Sequence, residues 1–306
     1  MENEKICYCP FCGRGYSFPE ERLGTVLTCR MCGSEMMRTQ STEKNILADT
    51  EPLTVGESFT RDGFTVRDGL LVSYAGTAPC PTVPEEVVAI GGGAFEGNTA
   101  LREIALPESV RYIGHKAFAG CEGLRKVSLP KGLLAIGNCA FEDCRRLVRV
   151  AIPRSLRAAG YAIFNRCDNL VEADFPMDIG FIGGAPHPFC RRVVRTQVPH
   201  CVQSISFWLA ENDALETITL GRRVRTVQYL TAPHLFEVVF THPEDWAYTP
   251  CHIPWDGTYE RIDAATLAHP KRAAQFLRKL QTARRSICRP DLMAEPEDPY
   301  YLEVEE

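Results

Sequence analysis

Short bursts of alternating apolar and polar residues recur along the middle of the chain, as in LREIALP (101–107), LRKVSLP (124–130) and LVRVAIP (147–153). Alternation with period two predicts a half-buried strand in each burst. Every burst ends in proline, which cannot continue a ladder of backbone hydrogen bonds. Prolines stand at 84, 107, 130, 153, 176 and 199, five consecutive intervals of 23 residues. Six residues after the first three come Ile90-Gly91, Ile113-Gly114 and Ile136-Gly137; the pair becomes Ala159-Gly160 and returns as Ile182-Gly183. Ala-Phe follows at 94–95, 117–118 and 140–141, with Ile163-Phe164 in the fourth copy, and a leucine at 101, 124, 147 and 170. Glycine after isoleucine predicts a sharp turn, and the phenylalanine is placed to fill the interior opposite the strand. One such unit cannot bury its own apolar face, whereas stacked units share a continuous core. The pattern therefore predicts an α/β repeat fold, a solenoid made mostly of short strands and turns.

Written as a single unit, the pattern is LxxIxLPxxVxxIGxxAFxxCxxL. Over residues 84–176 it resembles the BspA-like, or Treponema pallidum-type, leucine-rich repeats. A fifth unit keeps the length without Ala-Phe, and two more are visible in outline at 200–220 and 222–240, so the leucine-rich-repeat solenoid is assigned to 84–241. The stretch FTVRDGLLVSYAG (64–76) alternates around Asp68-Gly69, a hairpin-turn dipeptide. It resembles the segment that opens such arrays, and predicts a capping hairpin over 59–83. The resemblance implies a curved solenoid and a protein-interaction role. Cys121, Cys144, Cys167 and Cys190 share one repeat position, where the first unit has Asn98. They read as a ladder of buried thiols, each a small hydrophobe with a weak donor.

The amino-terminal segment is of another kind. Cys9-x-x-Cys12-Gly and Cys29-x-x-Cys32-Gly form two knuckles whose four thiolates suit tetrahedral Zn(II). The spacing predicts a zinc ribbon over 1–36, and CPxCGxxYxxPxxxLG followed by CxxCG resembles a small bacterial zinc-ribbon family, matched also at Tyr16, Pro19, Leu23 and Gly24. Cys7 is an extra thiol that could substitute for Cys9. Four thiolates close the coordination sphere, so this zinc would be structural, not catalytic. Residues 1–40 carry five Lys or Arg and five Asp or Glu, which gives little attraction for phosphate. Residues 37–58 are polar with little periodicity and read as a linker.

Beyond the repeats, a Trp- and Tyr-rich stretch reads as a cap covering the last apolar edge, within a carboxyl-terminal cap assigned to 242–290. PKRAAQFLRKLQTARRSI (270–287) predicts a helix with Ala273, Phe276, Leu277, Leu280 and Ile287 near one face. Seven basic residues and no acidic ones lie between 270 and 290, against seven acidic and no basic ones in the tail 291–306. This contrast keeps open a second reading, a nucleic-acid-associated regulatory protein using the ribbon and the basic helix.

Composition adds only bounds. The 306 residues are 45% hydrophobic and 24% charged with a formal net charge of -5, ordinary for a folded protein and unlike the basic footprint of a dedicated nucleic-acid binder. Without an export signal or an apolar run of membrane-spanning length, the expected location is cytoplasmic. No nucleophile elbow, phosphate-binding glycine loop or metal-ligand helix is found, so a non-enzyme is expected. Outward strand positions form one row through Arg125, Val148, Val171 and Val194, and a second through Lys126, Arg149, Glu172 and Arg195. Valines flanked by charge predict a protein- or peptide-binding face with an apolar centre and polar rim.

Overall fold

The 23-residue period becomes a single distance in three dimensions. In the computed structural model Phe95, Phe118 and Phe141 stack nearly parallel, with ring centroids 4.8 and 5.1 Å apart, and Phe164 continues the column at 5.5 Å. These separations are close to the ~4.8 Å between hydrogen-bonded strands, so each turn adds one strand spacing and one ring. The structure describes residues 58–67, 69–182, 190–202, 205, 212–227, 232–249, 260–282 and 286–289, together with four short strands nearer the amino terminus.

Those four strands form two antiparallel pairs: β1 (Glu4–Tyr8) with β2 (Gly15–Pro19), and β3 (Leu27–Thr28) with β4 (Glu35–Met37). A meander follows, of β5 (Phe59–Arg61), β6 (Phe64–Arg67) and β7 (Leu70–Tyr74). Asp62 and Gly63 join the first two of these strands at φ of 53° and 83°, the left-handed pair favoured in two-residue hairpins. The chain then winds between two parallel ladders. One comprises β8 (Ala89–Ile90), β10 (Tyr112–Ile113), β12 (Ala135–Ile136), β13 (Ala158–Ala159) and β14 (Phe181–Ile182). Strand β7 pairs with β8, so the meander closes the first edge of this ladder.

The other ladder holds the alternating bursts. It begins at a bridge from Thr82 to Ala105, pairs β9 (Glu103–Ala105) with β11 (Lys126–Ser128) and continues as single bridges to Arg149 and Glu172. Strands β15 (Arg195–Gln197), β16 (Thr217–Thr219) and β18 (Glu237–Val239) form a sheet of their own with the later bursts. The bursts supply seven rungs. The alternation places Ile104, Val127, Val150, Ile218 and Val238 inside, each at most 6% exposed.

The Ile-Gly pair departs from the predicted turn. The isoleucines lie within the first ladder, and the N–H of the following glycine extends it: Gly91 donates to Leu71 O at 2.8 Å, Gly114 to Ile90 O at 2.8 Å and Gly137 to Ile113 O at 2.7 Å. Glycine is needed there for close approach, since a Cβ at Gly91 would sit 2.6 Å from the Leu71 carbonyl oxygen. The left-handed position falls two residues later, at Gly93, Lys116, Cys139 and Ala162 (φ 67°, 53°, 53° and 51°).

The four ladder cysteines are buried, and each Sγ–H points back at the carbonyl of a phenylalanine in the preceding turn. Cys121 donates to Phe95 O at 3.1 Å, Cys144 to Phe118 O at 3.2 Å, Cys167 to Phe141 O at 3.1 Å and Cys190 to Phe164 O at 2.8 Å. Asn98 fills the equivalent place with its Nδ2 on Gly76 O at 3.0 Å and its Oδ1 accepting from Ala100 and Leu101 N–H. Asn212 repeats that arrangement late in the array, donating to Val193 O at 3.0 Å.

The far end is closed by β17 (Thr226–Val227), β19 (Ala247–Thr249), β20 (Glu260–Arg261), the helices α1 (Ala264–Ala268) and α2 (Pro270–Thr282), and β21 (Ser286–Cys288). Strand β21 lies antiparallel between β17 and β19. Trp246 is buried edge-on against Phe240, with centroids 5.0 Å apart. The predicted helix is therefore too long: Ile287, placed on its apolar face, belongs to β21, where it pairs with Val227 and Tyr248. A β-branched residue satisfies an open sheet edge better than it extends a helix.

Candidate protein-interaction face

The interior uses nearly every regular apolar position of the repeat, which leaves the second ladder's outward side chains as the surface that differs from turn to turn. Lys126, Arg149 and Glu172 stand on consecutive bridged rungs, all exposed. Arg149 and Glu172 approach to 3.8 Å, an exposed pair of little energetic weight. Arg195 heads the next strand and is also exposed. In the neighbouring row Arg125 is exposed and Val148 is 44% exposed, while Val171 and Val194 are half-buried. The apolar centre expected from three valines is thus concentrated at Val148. A shallow depression opens beside it, lined by Arg125, Lys126, Ser128, Leu129, Val148, Arg149 and Ala151.

One rung further, Asp174 faces outward with its Oδ1 buried and unpartnered. Burial first, then the nearby Glu172, pushes its carboxyl above the usual range, against the Gln197 backbone N–H and Arg195, which pull it down. The alternating pattern does not signal this residue as unusual, because an aspartate at an outward strand position reads as ordinary solvated charge.

At the far end of the face Phe236 and Val239 are 51% and 38% exposed. Helix α2 packs beside this end. Lys271 sits over the Phe236 ring at 4.7 Å, and Arg278 donates to the Leu235 carbonyl. Two cations of the basic helix therefore serve its packing on the solenoid, and Ala273, Ala274 and Leu277 are buried beneath them.

Among the thiols with described surroundings Cys80 is exposed, and the others are buried or half-buried. Burial pushes Cys121 and Cys190 up to about 12 and Cys139, Cys201 and Cys288 up to about 11. Cys144 and Cys167 are raised by the same cause. A thiol so displaced is neither nucleophile nor metal ligand at neutral pH. The zinc-ligand candidates Cys9, Cys12, Cys29 and Cys32 lie outside the described residues. Their flanking strands do not: in sequence, the first Cys-x-x-Cys falls between β1 and β2 and the second between β3 and β4, each an antiparallel pair. Among the described residues no helix is long and apolar enough to cross a membrane.

A ladder of parallel strands, a stacked phenylalanine column and a thiol ladder on one 23-residue frame define a leucine-rich-repeat β-solenoid. The BspA type leucine rich repeat region matches residues 80–193 and 112–231 in six copies, and the repeats of this chain are of that type. Among solved structures, the leucine-rich repeat protein of T. pallidum is similar at 30% identity, with 54% of this chain and 86% of that chain covered and a TM-score of 0.45. A leucine-rich repeat protein from Bacteroides ovatus is similar at 25% identity with a TM-score of 0.51, over 63% of this chain and about half (53%) of that one. No curated protein matches the chain in sequence. Proteins built on such repeats are generally protein-interaction scaffolds and are typically non-enzymatic.

Proposed function

We propose that this chain is a non-enzymatic scaffold that binds a partner protein on the second ladder, and that its amino-terminal segment is held by one structural Zn(II). The observation that carries the first part is the division of labour within the repeat. Inward positions are filled by a repeating apolar set, while the outward positions of the second ladder change from turn to turn and combine Val148 with exposed charge. Interfaces in general have this composition, an apolar spot inside a polar rim. Replacing Val148, Val171 and Val194 together by aspartate is expected to abolish partner capture while leaving the circular dichroism spectrum unchanged. Undiminished capture of the same partner by the folded variant sinks the reading.

The zinc part is supported by the donor chemistry and by the two antiparallel strand pairs that bracket the Cys-x-x-Cys motifs. Bound there, the ion would supply cross-linking of two hairpins in a segment too small for a secure core of its own. Cys9, Cys12, Cys29 and Cys32 would hold it as thiolates. Elemental analysis of freshly purified, reduced protein is expected to give one zinc per chain; none would remove this part and leave the scaffold reading intact. A cytoplasmic location accompanies the proposal, supported by the free thiols of Cys80, Cys121, Cys139, Cys144, Cys167, Cys190, Cys201 and Cys288.

A further inference from the structure

The depression beside Val148 has a sign. Its lining includes Arg125, Lys126 and Arg149 and no carboxylate. Arg125 and Lys126 make no hydrogen bond or ion pair to another described side chain, and Arg149 reaches only the exposed Glu172. Some basic residues elsewhere on the repeats are occupied: Arg102 turns back onto Thr99 and Leu101 carbonyls, Arg111 onto Glu108 and Val110 carbonyls, and Arg145 pairs with Asp143. Arg146, Arg154 and Arg157 are exposed like the cations of the hollow, which is set apart by three cations sharing one depression. Three cations in one hollow repel one another unless something anionic lies among them.

The hollow also has a cause in the backbone. Strands β9 and β11 pair over three residues, but from Lys126 to Arg149 and from Arg149 to Glu172 the ladder is reduced to single bridges. The floor of the depression is this narrowing, between Lys126–Leu129 and Val148–Ala151. Its size is set by two neighbouring rungs, and carboxylates bound it on both sides, Glu103 one rung before and Glu172 one rung after. That framing suits a few carboxylates spaced along an extended peptide. It does not suit a nucleic-acid backbone, whose phosphates would run into the flanking glutamates, and no aromatic side chain lines the hollow for base stacking.

We propose that this depression receives an acidic, extended segment of the partner protein, with carboxylates meeting Arg125, Lys126 and Arg149 and an apolar residue between them seated on Val148 and Ala151. The assignment rests on the scaffold reading above and names the chemistry of its partner.

The test is selection of a random-peptide library on the full-length chain, followed by binding of single selected peptides to three proteins. These are the wild type, Arg125→Glu/Lys126→Glu/Arg149→Glu, and the aspartate triple variant at Val148, Val171 and Val194, each with its fold checked by circular dichroism. The expected result is enrichment of Asp and Glu around an apolar residue, affinity that weakens with salt, and a loss of about tenfold or more on the charge-reversed variant. Neutral or basic consensus peptides, or acidic peptides that bind the charge-reversed variant undiminished, overturn the assignment. So does a single-stranded oligothymidylate probe that binds more tightly than the selected peptides and is lost on the same variant. Neutral peptides lost only on the aspartate variant would sink this inference and keep the scaffold; peptides indifferent to both variants would sink both.

Discussion

The first four turns and the last three are built with opposite emphasis. In the early turns the interior is nearly crystalline: four phenylalanines stack, three thiols and one asparagine tie successive turns, and the first ladder runs unbroken from β8 to β14. The second ladder narrows to single bridges within those same turns. Late in the array the positions exchange. Among the described residues the phenylalanine column ends at Phe164, whose next ring, Phe175 at the strand end of the same unit, stands 6.3 Å away at 49°, and the rung spacing shortens from 23 residues to 22 (Arg195 to Thr217) and 20 (Thr217 to Glu237). There β15, β16 and β18 pair over three residues each. The interior column and the strand face are thus separable devices. They vary independently: β9 and β11 pair over three residues in the turns of the tight Phe95–Phe118 stack, while the single bridges at Arg149 and Glu172 fall in turns whose column is nearly as regular.

Removing a ring from the regular column tests that comparison with the largest effect. Phe141 is fully buried between two stacked rings, so Phe141→Ala is expected to cost about 3–5 kcal/mol in denaturant unfolding. A loss below about 1.5 kcal/mol, the scale of a conservative core swap, would mean that the column is not what supports the early turns.

A smaller effect of opposite sign is expected where the early turns are strained. Arg166 holds φ at 56° at the repeat position where Gly97 and Gly120 stand at 71°. Its side chain is exposed and its ion pair with Asp143 is long, at 3.9 Å. Arg166→Gly should therefore raise stability by about 1 kcal/mol, because a left-handed conformation costs roughly that in an L-residue. A loss on substitution would show that the side chain contributes more than the backbone strain removes.

The smallest effect lies at the junction of the two halves. Asp174 has its carboxyl raised on folding, so folding favours the protonated form. Its contribution is present below the unfolded value of about 3.9 and is lost as pH rises through the folded one. Asp174→Asn is then expected to raise the melting temperature at neutral pH, with the advantage shrinking toward pH 3. An equal shift at both pH values would locate the effect elsewhere.

How much of this was legible depended on how locally each feature is specified. The proline frame, the phenylalanine position and the thiol ladder were readable because each is a fixed residue type at a fixed interval. The first ladder was missed because its strands are two residues long, too short for alternation to register, and because glycine reads as a turn when its role is close approach to a neighbouring carbonyl. Asp62-Gly63 carried a hairpin signal as strong as that of Asp68-Gly69, and a search for paired Asp-Gly dipeptides would have found β5. Ile287 kept helical spacing with α2, yet joins a sheet edge made by residues some sixty positions earlier (Val227). On the candidate face, the rows of side chains followed from the repeat. The hollow did not, since the narrowing of the ladder at Arg149 and Glu172 leaves no mark in the residue pattern.

The central claim is that the second ladder is the binding face. The most direct measurement is photo-crosslinking with a reactive amino acid placed either at Ser128, exposed on that face, or at Arg157, exposed beside the first ladder. The expected result is one partner crosslinked specifically from Ser128, competed away by unlabelled protein, and none from Arg157. A partner crosslinked from Arg157 and not from Ser128 would contradict the claim.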